Sequence, residues 1–453
     1  MFVHVKDRSP GNPLPRDGGS GLPRVAIVGS GISGLAVAHA LRGRAALTLL
    51  EAADYFGGHT HTVDVTLPGP DGQPLTFGVD TGFLVYNERT YPNLLRLLAE
   101  LGITGARSDM SFSVQARVGS RRLEWNGASL NTVFAQRRNL LDWRFWRMLR
   151  EVLRFNRLAT ALAEAGADER LAQPLGQWLD AHRFSAEFRD WYFLPMMACI
   201  WSCPTAQMLQ FPVGTMVRFC HNHGLIQVNG RPQWLTVPGG ARRYVEKIVA
   251  GIADKRLHCA VRRIERDAQG VTVHTDGGAE RYDHVVLATH SDQALALLHA
   301  PSAQEQRILG AIRYQRNRAV LHTDAGVLPA NRRAWAAWNY ERAAEPDQEG
   351  RHVCLHYLLN RLQPLPFAQP LIVTLNPLRA IAPQHVLGDY DYAHPVFDLA
   401  AVAAQRELPA LQGQQRTWFC GAWAGYGFHE DGLKSGLAVA QQLLARLAAR
   451  EQA

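Results

Sequence analysis

A glycine-rich turn between an apolar segment and a helix-forming segment constrains this sequence more than any other feature. Residues 24–28 (RVAIV) have the β-branched character of a buried strand, and residues 29–34 (GSGISG) follow directly. In such a turn the first glycine permits the tight bend, the second lets the backbone approach a pyrophosphate, and the third lets helix and strand pack closely. The sequence therefore predicts a Rossmann-type dinucleotide-binding unit, with the pyrophosphate at the helix N-terminus.

The segment that follows narrows the choice of dinucleotide. Residues 47–50 (LTLL) predict a second strand that ends in Glu51. An acidic residue about 20 positions beyond the motif is the usual partner of ribose hydroxyls. Gly57 and Gly58 come soon after Glu51, and a glycine pair there lets the chain pass close to the rest of a long cofactor. This arrangement favours FAD over NAD, so FAD is the predicted cofactor.

This N-terminal run resembles the flavin amine oxidase superfamily, which includes monoamine oxidases, protoporphyrinogen oxidases and phytoene desaturases. That family usually has arginine after the glycine pair, where this chain has His59. By resemblance, the backbone near Val261 holds the adenine, and the Leu433 amide at the start of the last helix faces the flavin. Further segments that fit the superfamily are residues 236–240 (TVPGG), 258–264, 282–289 (YDHVVLAT), 418–422 and 431–436.

Because these segments lie at both ends of the chain, the predicted fold class is α/β, a Rossmann-type FAD-binding domain with an interleaved α+β substrate domain. The residues predicted to bind FAD are Gly29, Ser30, Gly31, Ile32, Ser33, Gly34, Glu51, Gly57, Gly58, His59, Thr60, Val261, Ala288, Gly421, Asp431, Gly432, Leu433 and Ser435. The predicted bounds are 1–23 for a disordered lead, 24–90, 228–300 and 410–453 for the FAD-binding domain, and 91–227 and 301–409 for the substrate domain.

Other segments resemble a narrower group, the bacterial FAD-dependent oxidoreductases often called predicted NAD/FAD-binding proteins. Members of this group are commonly associated with cyclopropane-fatty-acid-synthase-like methyltransferases. The resemblance therefore implies chemistry on unsaturated or methyl-modified acyl chains. The matching stretches are residues 79–83, 87–93, 108–113, 124–127, 222–225, 231–234 and 425–436.

Amine oxidases of the wider superfamily usually carry a lysine near the flavin that promotes its reaction with oxygen. By resemblance, such a lysine belongs on the strand predicted at residues 313–324 (RYQRNRAVLHTD), and this segment contains none. We therefore expect an FAD-dependent oxidoreductase in which hydride passes between flavin N5 and a carbon of an apolar substrate. The lysines of the chain are Lys6, Lys247, Lys255 and Lys434.

The resemblance indicates an unsaturated or modified fatty acyl chain as the substrate, with desaturation, saturation or isomerisation as the reaction. Two alternatives remain open. One is an amine or protoporphyrinogen oxidase, against which the missing lysine counts. The other is a non-redox flavin-dependent isomerase or mutase on a sugar nucleotide, for which Arg313, Arg316 and Arg318 would supply a polar pocket.

Three side chains beside the predicted FAD segments are catalytic candidates: Tyr86, Tyr426 and His429. A histidine or tyrosine at such a place could donate or remove a proton as hydride moves. The alternative is that Tyr426 and His429 only shape the pocket or hydrogen-bond the cofactor. His59 and His61 would share one strand face, but no third ligand accompanies them, so no metal site is predicted.

Residues 142–158 (DWRFWRMLREVLRFNRL) predict a basic amphipathic helix with Trp143 and Trp146 near its polar boundary. Such a helix could lie on an anionic bilayer and admit a lipid substrate. The alternative is a domain helix whose apolar face joins the core and whose arginines are solvated. The predicted partners are thus an apolar small molecule or acyl chain and, if this helix binds lipid, an anionic membrane surface; the oligomeric state stays open.

Charge and cysteine content bound the remaining possibilities. Lysine and arginine exceed aspartate and glutamate by 8, almost all through arginine, but no motif for reading nucleic-acid bases is present. The 6 cysteines lack zinc-site spacing, which favours reduced, buried thiols. No apolar run has the length of a membrane span, and no secretory signal is recognisable. We therefore expect a cytoplasmic protein, peripheral on the inner membrane face if the basic helix binds lipid.

Overall fold

The computed structural model of the protein describes residues 21–166, 172–227, 230–344 and 352–451. Most of the predicted disordered lead at 1–23 lies outside these residues. The strands are β1 Arg24–Val28, β2 Ala46–Leu50, β3 Thr62–Pro68, β4 Pro74–Asp80, β5 Tyr86–Asn87, β6 Ala106–Ser108, β7 Phe112–Val118, β8 Arg121–Asn126, β9 Trp234–Thr236, β10 Asp254–Arg256, β11 Val261–Arg266, β12 Val271–Thr275, β13 Gly278–Tyr282, β14 His284–Leu287, β15 Arg313–His322, β16 Trp338–Glu341, β17 Cys354–Leu358, β18 Ile372–Leu375, β19 Val386–Val396 and β20 Thr417–Phe419.

The helices are α1 Ile32–Leu41, α2 Pro92–Glu100, α3 Leu130–Val133, α4 Trp143–Ala165, α5 Leu175–Ala181, α6 Ala186–Phe188, α7 Leu194–Trp201, α8 Thr205–Met208, α9 Val213–Asn222, α10 Arg242–Ala250, α11 Ser291–Leu297, α12 Ala303–Gly310, α13 Leu359–Leu362, α14 Leu399–Glu407 and α15 His429–Glu451. A π-helical turn at Arg189–Phe193 joins α6 to α7. Short 3₁₀ turns lie at Arg137–Leu141, Ala325–Val327, Arg332–Ala334, Pro383–His385, Leu408–Leu411, Gln414–Arg416 and Ala422–Ala424.

A parallel sheet of five strands, in the order β10-β2-β1-β14-β20, carries the glycine-rich turn. Its central strand β1 pairs with β2 on one side and β14 on the other, both in parallel. Val25, Ala26 and Ile27 are completely buried, as expected for a parallel strand covered on both faces. The strands come from residues 24–50, 254–287 and 417–419, so segments far apart in sequence build one Rossmann-type sheet. The predicted α/β class is confirmed, and the domain bounds stay a prediction.

Helices α1 and α15 pack closely beside this sheet, and small residues permit the approach. A Cβ atom on Gly436 would lie 2.3 Å from the Ser33 carbonyl oxygen. Only glycine fits there, so the C-terminal helix can lie directly against the first helix of the nucleotide-binding turn. This contact brings the two ends of the chain to one place.

A second sheet of seven strands, in the order β19-β15-β18-β17-β16-β7-β8, lies in the other half of the molecule. Its pairings are antiparallel except that of β16 with β7. β7 and β8 come from residues 112–126, before the helical segment that contains α4 to α9. Both predicted parts of the substrate domain, 91–227 and 301–409, therefore contribute strands to this sheet. The largest hydrophobic core joins this sheet to those helices, through residues such as Phe155, Phe193 and Leu355.

Several predicted elements are present with shifted bounds. The strand expected at 258–264 begins at Val261, because His258 has a left-handed backbone (φ 51°) that ends the preceding extended segment. The strand expected at 313–324 ends at His322. The last helix begins at His429, two residues before the predicted Asp431.

The remaining global expectations concern cysteines and membrane spans. All 6 cysteines lie in the described part of the chain and form no disulfide, and each is buried except Cys259, which is half-buried. This agrees with the expected reduced thiols. Within the described residues, no helix is both long and apolar enough to cross a membrane.

Candidate active site

A cavity of about 410 Å³ reaches from the glycine-rich turn to the seven-stranded sheet. One end is lined by backbone of the turn, by Glu51 and by the Gly57–Thr60 segment. The other end is lined mainly by aromatic and aliphatic side chains. The cavity thus combines the predicted cofactor site with an apolar part, which we call the apolar chamber.

The glycines of the turn form a backbone cradle that larger residues would fill. Gly29 has a positive φ of 97°, and a Cβ atom there would lie 2.9 Å from the Ala288 carbonyl oxygen. A Cβ on Gly34 would lie 2.1 Å from the Gly29 carbonyl oxygen, so the third glycine permits the helix to meet the turn. A Cβ on Gly31 would meet no atom within 4 Å, which leaves the open side of the turn clear. No side chain caps the first turn of α1, so its amides are available to a pyrophosphate.

Glu51 is held at the end of β2 beside this cradle. Its Oε2 accepts hydrogen bonds from the Ser30 backbone N–H (2.9 Å) and from Ser30 Oγ (2.6 Å). Its Oε1 accepts one from the Ala53 N–H at 3.0 Å. A carboxylate has further acceptor sites, so Glu51 can also receive ribose hydroxyls. The cradle and the carboxylate together fit the adenosine and pyrophosphate parts of FAD.

The C-terminal segment closes the same end of the cavity. Ser435 Oγ accepts a hydrogen bond from the Gly421 N–H at 3.0 Å, which ties α15 to the end of β20. A Cβ on Gly432 would lie 2.8 Å from Ile32 Cγ2, so the first turns of α1 and α15 meet there. Asp431 Oδ2 accepts from the Phe428 N–H at 3.0 Å, and burial raises the pKa of Asp431 to about 6.

The structure brings most of the predicted cofactor residues to the cavity wall. Four of the predicted residues do not line the cavity: Gly34, Gly432, Leu433 and Ser435. Asp431 lines a neighbouring cavity instead. Val261 lies on the separate sheet β11-β12-β13 and does not line the cavity. Those that line it are Gly29, Ser30, Gly31, Ile32, Ser33, Glu51, Gly57, Gly58, His59, Thr60, Ala288 and Gly421.

Two of the three catalytic candidates are placed away from the main cavity. Tyr86 is almost completely buried, and its hydroxyl lies against Gly105. Phe83, Leu84 and Val85, which directly precede β5, line the cavity, whereas Tyr86 does not. Tyr426 lines the neighbouring cavity, and its carbonyl oxygen accepts a hydrogen bond from Trp201 Nε1 at 3.1 Å.

His429, the third candidate, does line the main cavity, at the first position of α15. Its ring stacks on Phe83 with centroids 3.8 Å apart, and its Nε2 lies 2.5 Å from the Tyr244 hydroxyl. That hydroxyl lies 2.7 Å from Thr60 Oγ1. Burial, with a smaller effect of His59, lowers the pKa of His429 to about 3. The imidazole is therefore neutral at physiological pH.

Two further histidines that the sequence reasoning missed stand beside His59. The ring of His290 lies 6.2 Å from that of His59, and the ring of His394 lies 5.4 Å from it. Burial lowers the pKa of His59 and His290 to about 4 and that of His394 to about 3. His59 Nε2 is buried and has no hydrogen-bond partner among the described residues, so it is available to a bound group. One signal was present in the sequence: Tyr390, Tyr392 and His394 alternate along β19.

The cavity is almost free of charged side chains. Among the described residues that line it, Glu51 is the only aspartate, glutamate, lysine or arginine. Arg313 instead pairs with Asp398 (2.7 Å), and Arg318 with Asp389. The apolar and aromatic part of the wall consists of Phe83, Leu84, Val85, Tyr91, Met110, Ile200, Phe219, Leu225, Trp234, Tyr314, Trp338, Tyr357, Trp423 and Phe428.

A dinucleotide cradle on a Rossmann-type sheet, joined to an apolar chamber, is the arrangement of a flavoprotein. Residues 32–326 match the model of the flavin containing amine oxidoreductases, and the chain belongs to this family. FAD is its cofactor, and its class is that of FAD-dependent oxidoreductases. The predicted resemblance to the flavin amine oxidase superfamily, the cofactor and the enzyme class are confirmed.

Relatives and solved structures agree with this assignment. AofH of Mycobacterium tuberculosis, assigned as a flavin-containing monoamine oxidase, is 27% identical over 282 residues, which are 61% of this chain and 59% of AofH. Less than two thirds of that relative is therefore matched. Cyclohexylamine oxidase from Brevibacterium oxydans has a TM-score of 0.64 at 18% identity, over 94% of this chain and 99% of its own. A CLA-producing fatty acid isomerase from P. acnes has a TM-score of 0.63 at 15% identity, over 93% and 98%.

Proposed function

We propose that this protein catalyses flavin-dependent redox chemistry on an uncharged, apolar substrate, namely an unsaturated or modified fatty acyl chain that it takes from an anionic membrane surface. The observation that carries the proposal is the wall of the apolar chamber, which contains no charged side chain among the described residues. Moving an ammonium or carboxylate group into such a site without a partner costs several kcal/mol. The part of the substrate that enters the chamber is therefore uncharged.

The cofactor end of the cavity has the groups that FAD requires. The backbone of the Gly29–Gly34 turn holds the pyrophosphate, Glu51 receives the ribose, and His59 Nε2 supplies a hydrogen-bonding atom further along the cavity. When bound, FAD supplies two-electron chemistry, because its N5 atom accepts a hydride from a substrate carbon or returns one.

The imidazoles of the cavity contribute hydrogen bonds without charge. His59, His290, His394 and His429 all have a pKa lowered to about 4 or about 3, chiefly by burial. A histidine with so low a pKa is a weak base, so His429 orients neighbouring groups and does not store a proton at neutral pH. Burial also raises the pKa of Tyr244 well above 10, and its hydroxyl keeps its proton between His429 and Thr60.

The aromatic part of the wall suits the hydrocarbon portion of an acyl chain. Aromatic rings such as Phe219, Trp338 and Tyr357 offer large apolar contact surfaces with few conformational degrees of freedom. The same fold is found in a protein described as a CLA-producing fatty acid isomerase, which supports an acyl chain as a ligand for this architecture. Saturation, desaturation and isomerisation of a double bond would each require a hydrocarbon chain bound beside the flavin.

Amine oxidation is the second candidate, and similarity to known amine oxidases favours it. AofH is assigned as a monoamine oxidase, and cyclohexylamine oxidase shares the fold. An aromatic chamber also accepts a small amine in its uncharged form. Among the described residues, however, no lysine lines the cavity, whereas the superfamily's oxidases usually use one to promote the reaction with oxygen.

Anaerobic reduction of the flavin separates the two candidates. The FAD-loaded protein is mixed under argon with phospholipid vesicles that carry unsaturated or methyl-branched acyl chains and, separately, with cyclohexylamine and benzylamine. The expected result is one of three changes that only the lipid produces: bleaching of the oxidised flavin with a new double bond in the recovered acyl chain, reoxidation of dithionite-reduced flavin with loss of a double bond, or a shifted double bond with the flavin unchanged. Bleaching by amines alone, followed by rapid reoxidation in air, would replace the proposal with an amine oxidase.

A further inference from the structure

An exposed apolar surface lies on the helical layer, away from the cavity. Ten large hydrophobic side chains are exposed in the described residues, and 6 of them fall between residues 130 and 153. The relative exposures are 78% for Leu130, 93% for Leu141 and 68% for Trp143. We call this surface the apolar patch, and its members are Leu130, Leu140, Leu141, Trp143, Trp146 and Leu153.

The patch is ordered by local contacts. Trp146 Nε1 donates a hydrogen bond to the Leu140 carbonyl oxygen at 2.9 Å, which fixes the turn before α4 against the helix. The Trp146 ring lies 5.2 Å from that of Phe134, a residue that follows α3. Asp142 caps α4 by accepting a hydrogen bond from the Arg144 N–H. The exposed side chains therefore project from a defined surface and not from a loose loop.

The outward stripe of α4 combines the patch with arginine. Trp143, Trp146, Arg150, Leu153 and Arg157 follow the three- and four-residue spacing of one helix face. The opposite face is buried, with Phe145, Met148, Phe155 and Ala159 in the core. The amphipathic helix predicted at 142–158 is present and has an apolar face in the core, while Trp143 and Trp146 lie outside that face.

The charge of this region is strongly positive and partly uncompensated. Residues 131–160 contain 7 arginines against 2 acidic residues, Asp142 and Glu151. Arg144 and Arg147 pair with Glu187. Arg150 and Arg157 on the outward stripe form no ion pair with a carboxylate of the described residues. On this surface, exposed leucine and tryptophan side chains alternate with guanidinium groups that are not paired with carboxylates. Such a surface suits an anionic bilayer, because the apolar side chains can enter the acyl region while the arginines contact lipid phosphates.

We infer that the apolar patch and the outward arginines of α4 form the surface that docks on an anionic phospholipid bilayer. The inference rests on the proposed function, which requires access to acyl chains. Helix α4 packs against α9, and Phe219 of α9 lines the cavity. The docking helix α4 thus packs against α9, which forms part of the chamber wall. A single layer of packed helices therefore separates the docking surface from the chamber.

Vesicle co-sedimentation of the FAD-loaded full-length protein tests the docking surface. The vesicles contain equal parts phosphatidylglycerol and phosphatidylcholine, with pure phosphatidylcholine as the uncharged comparison. Wild type is expected to bind the anionic vesicles, and more weakly at high salt. The double variant Leu141→Ser/Trp143→Ser should lose at least about tenfold in partition coefficient, because both side chains leave water on docking. The double variant Arg150→Gln/Arg157→Gln should lose about 30-fold on anionic vesicles only.

Two double variants serve as controls, because they remove exposed groups of the same kind elsewhere on the surface. Leu387→Ser/Leu399→Ser removes exposed leucines, and Arg96→Gln/Arg406→Gln removes exposed arginines. Both should bind like wild type. Equal binding by the patch variants and their controls, or no binding of wild type to anionic vesicles, would overturn the docking surface.

Flavin reduction, measured separately, distinguishes this inference from the proposed function. Loss of vesicle binding in the patch variants, with flavin reduction by detergent-dispersed acyl chains unchanged, supports both. Patch-dependent vesicle binding with neither a redox change of the flavin nor a double-bond change in any acyl chain supports the docking surface and overturns the proposed substrate.

Discussion

The nucleotide-binding turn and the apolar chamber share one cavity but are built in opposite ways. The nucleotide-binding region, within residues 29–60, consists mostly of backbone. It offers glycines such as Gly29 and Gly57 with positive φ, the amides at the start of α1, and a single carboxylate, that of Glu51. The chamber consists of side chains from strands β9, β15, β16 and β17, from α7 and α9, and from the loops that precede β5 and α15. A backbone site depends on the few residues that permit its conformation, whereas a side-chain chamber distributes its binding energy over many contacts. Substitutions should therefore act sharply on the first and gradually on the second.

The largest effect is expected for Gly34→Val. A Cβ at this position would lie 2.1 Å from the Gly29 carbonyl oxygen, so α1 and the turn must separate. We expect a loss of about 3–5 kcal/mol in the free energy of unfolding and no bound flavin. Urea denaturation and the ratio of flavin to protein absorbance measure the two effects.

Gly31→Ala is the matched control, because the added methyl group would meet no protein atom within 4 Å and φ is −60°. It should change the stability of the protein without FAD by less than about 0.5 kcal/mol, but it should abolish flavin binding. Equal destabilisation by both variants would mean that the open side of the turn is not a cofactor cradle.

A smaller effect on the same region is expected for Glu51→Gln. The amide keeps the size of the side chain but loses the charge that accepts hydrogen bonds from Ser30 and, in the complex, from the ribose. Hydrogen bonds to a charged group contribute about 1.5–3 kcal/mol, so FAD affinity should fall about 10- to 100-fold. Titration of the FAD-free protein with FAD, followed by flavin fluorescence, measures this, and an unchanged affinity would contradict the ribose role.

The histidines of the cavity should leave a signature in the pH dependence of stability. The pKa of His59 is about 4 in the folded protein and about 6.5 when exposed, so between these values the unfolded chain binds a proton that the folded chain does not. The free energy of unfolding contributed by this group therefore falls as pH is lowered from 6.5 to 4. His59→Asn should reduce that slope by up to about 1.4 kcal/mol per pH unit.

Comparison of wild type and His59→Asn by urea denaturation between pH 4 and pH 7 isolates the effect. Buried Asp80, whose pKa is raised to about 7, contributes a slope of the opposite sign, but it is present in both proteins and cancels in the difference. Parallel stability curves would show that His59 is not buried in neutral form.

The smallest effect is expected in the chamber. Trp338→Ala removes one of many aromatic contacts, so KM for a long-chain substrate should rise about three- to tenfold, which corresponds to about 1 kcal/mol of lost apolar contact. The flavin content should not change. Trp338→Phe should restore most of the affinity, and a loss of FAD in either variant would show that the two regions are not separable.

Local sequence was sufficient for the nucleotide-binding region, because its geometry depends on neighbours in the chain. The glycines at 29, 31 and 34 and the carboxylate of Glu51 act through bonds and turns that span a few residues. Local reasoning also brought His429 to the cavity, because it directly precedes a recognisable helix start, and its catalytic role stays a prediction. Tyr86 does not line the cavity but is buried against Gly105, and nothing in the local pattern shows which side chains of this segment face the cavity.

The sequence by itself determined the fold class, the cofactor and the family, since these follow from short motifs with a defined backbone geometry. Only the tertiary structure decided the character of the chamber. His290 and His394 lie far from His59 in the chain and meet it through the packing of two sheets, and their low pKa values come from the burial that this packing creates. The exclusion of Arg313, Arg316 and Arg318 from the cavity and the exposure of Trp143 are likewise properties of surfaces that exist only once the elements have packed together.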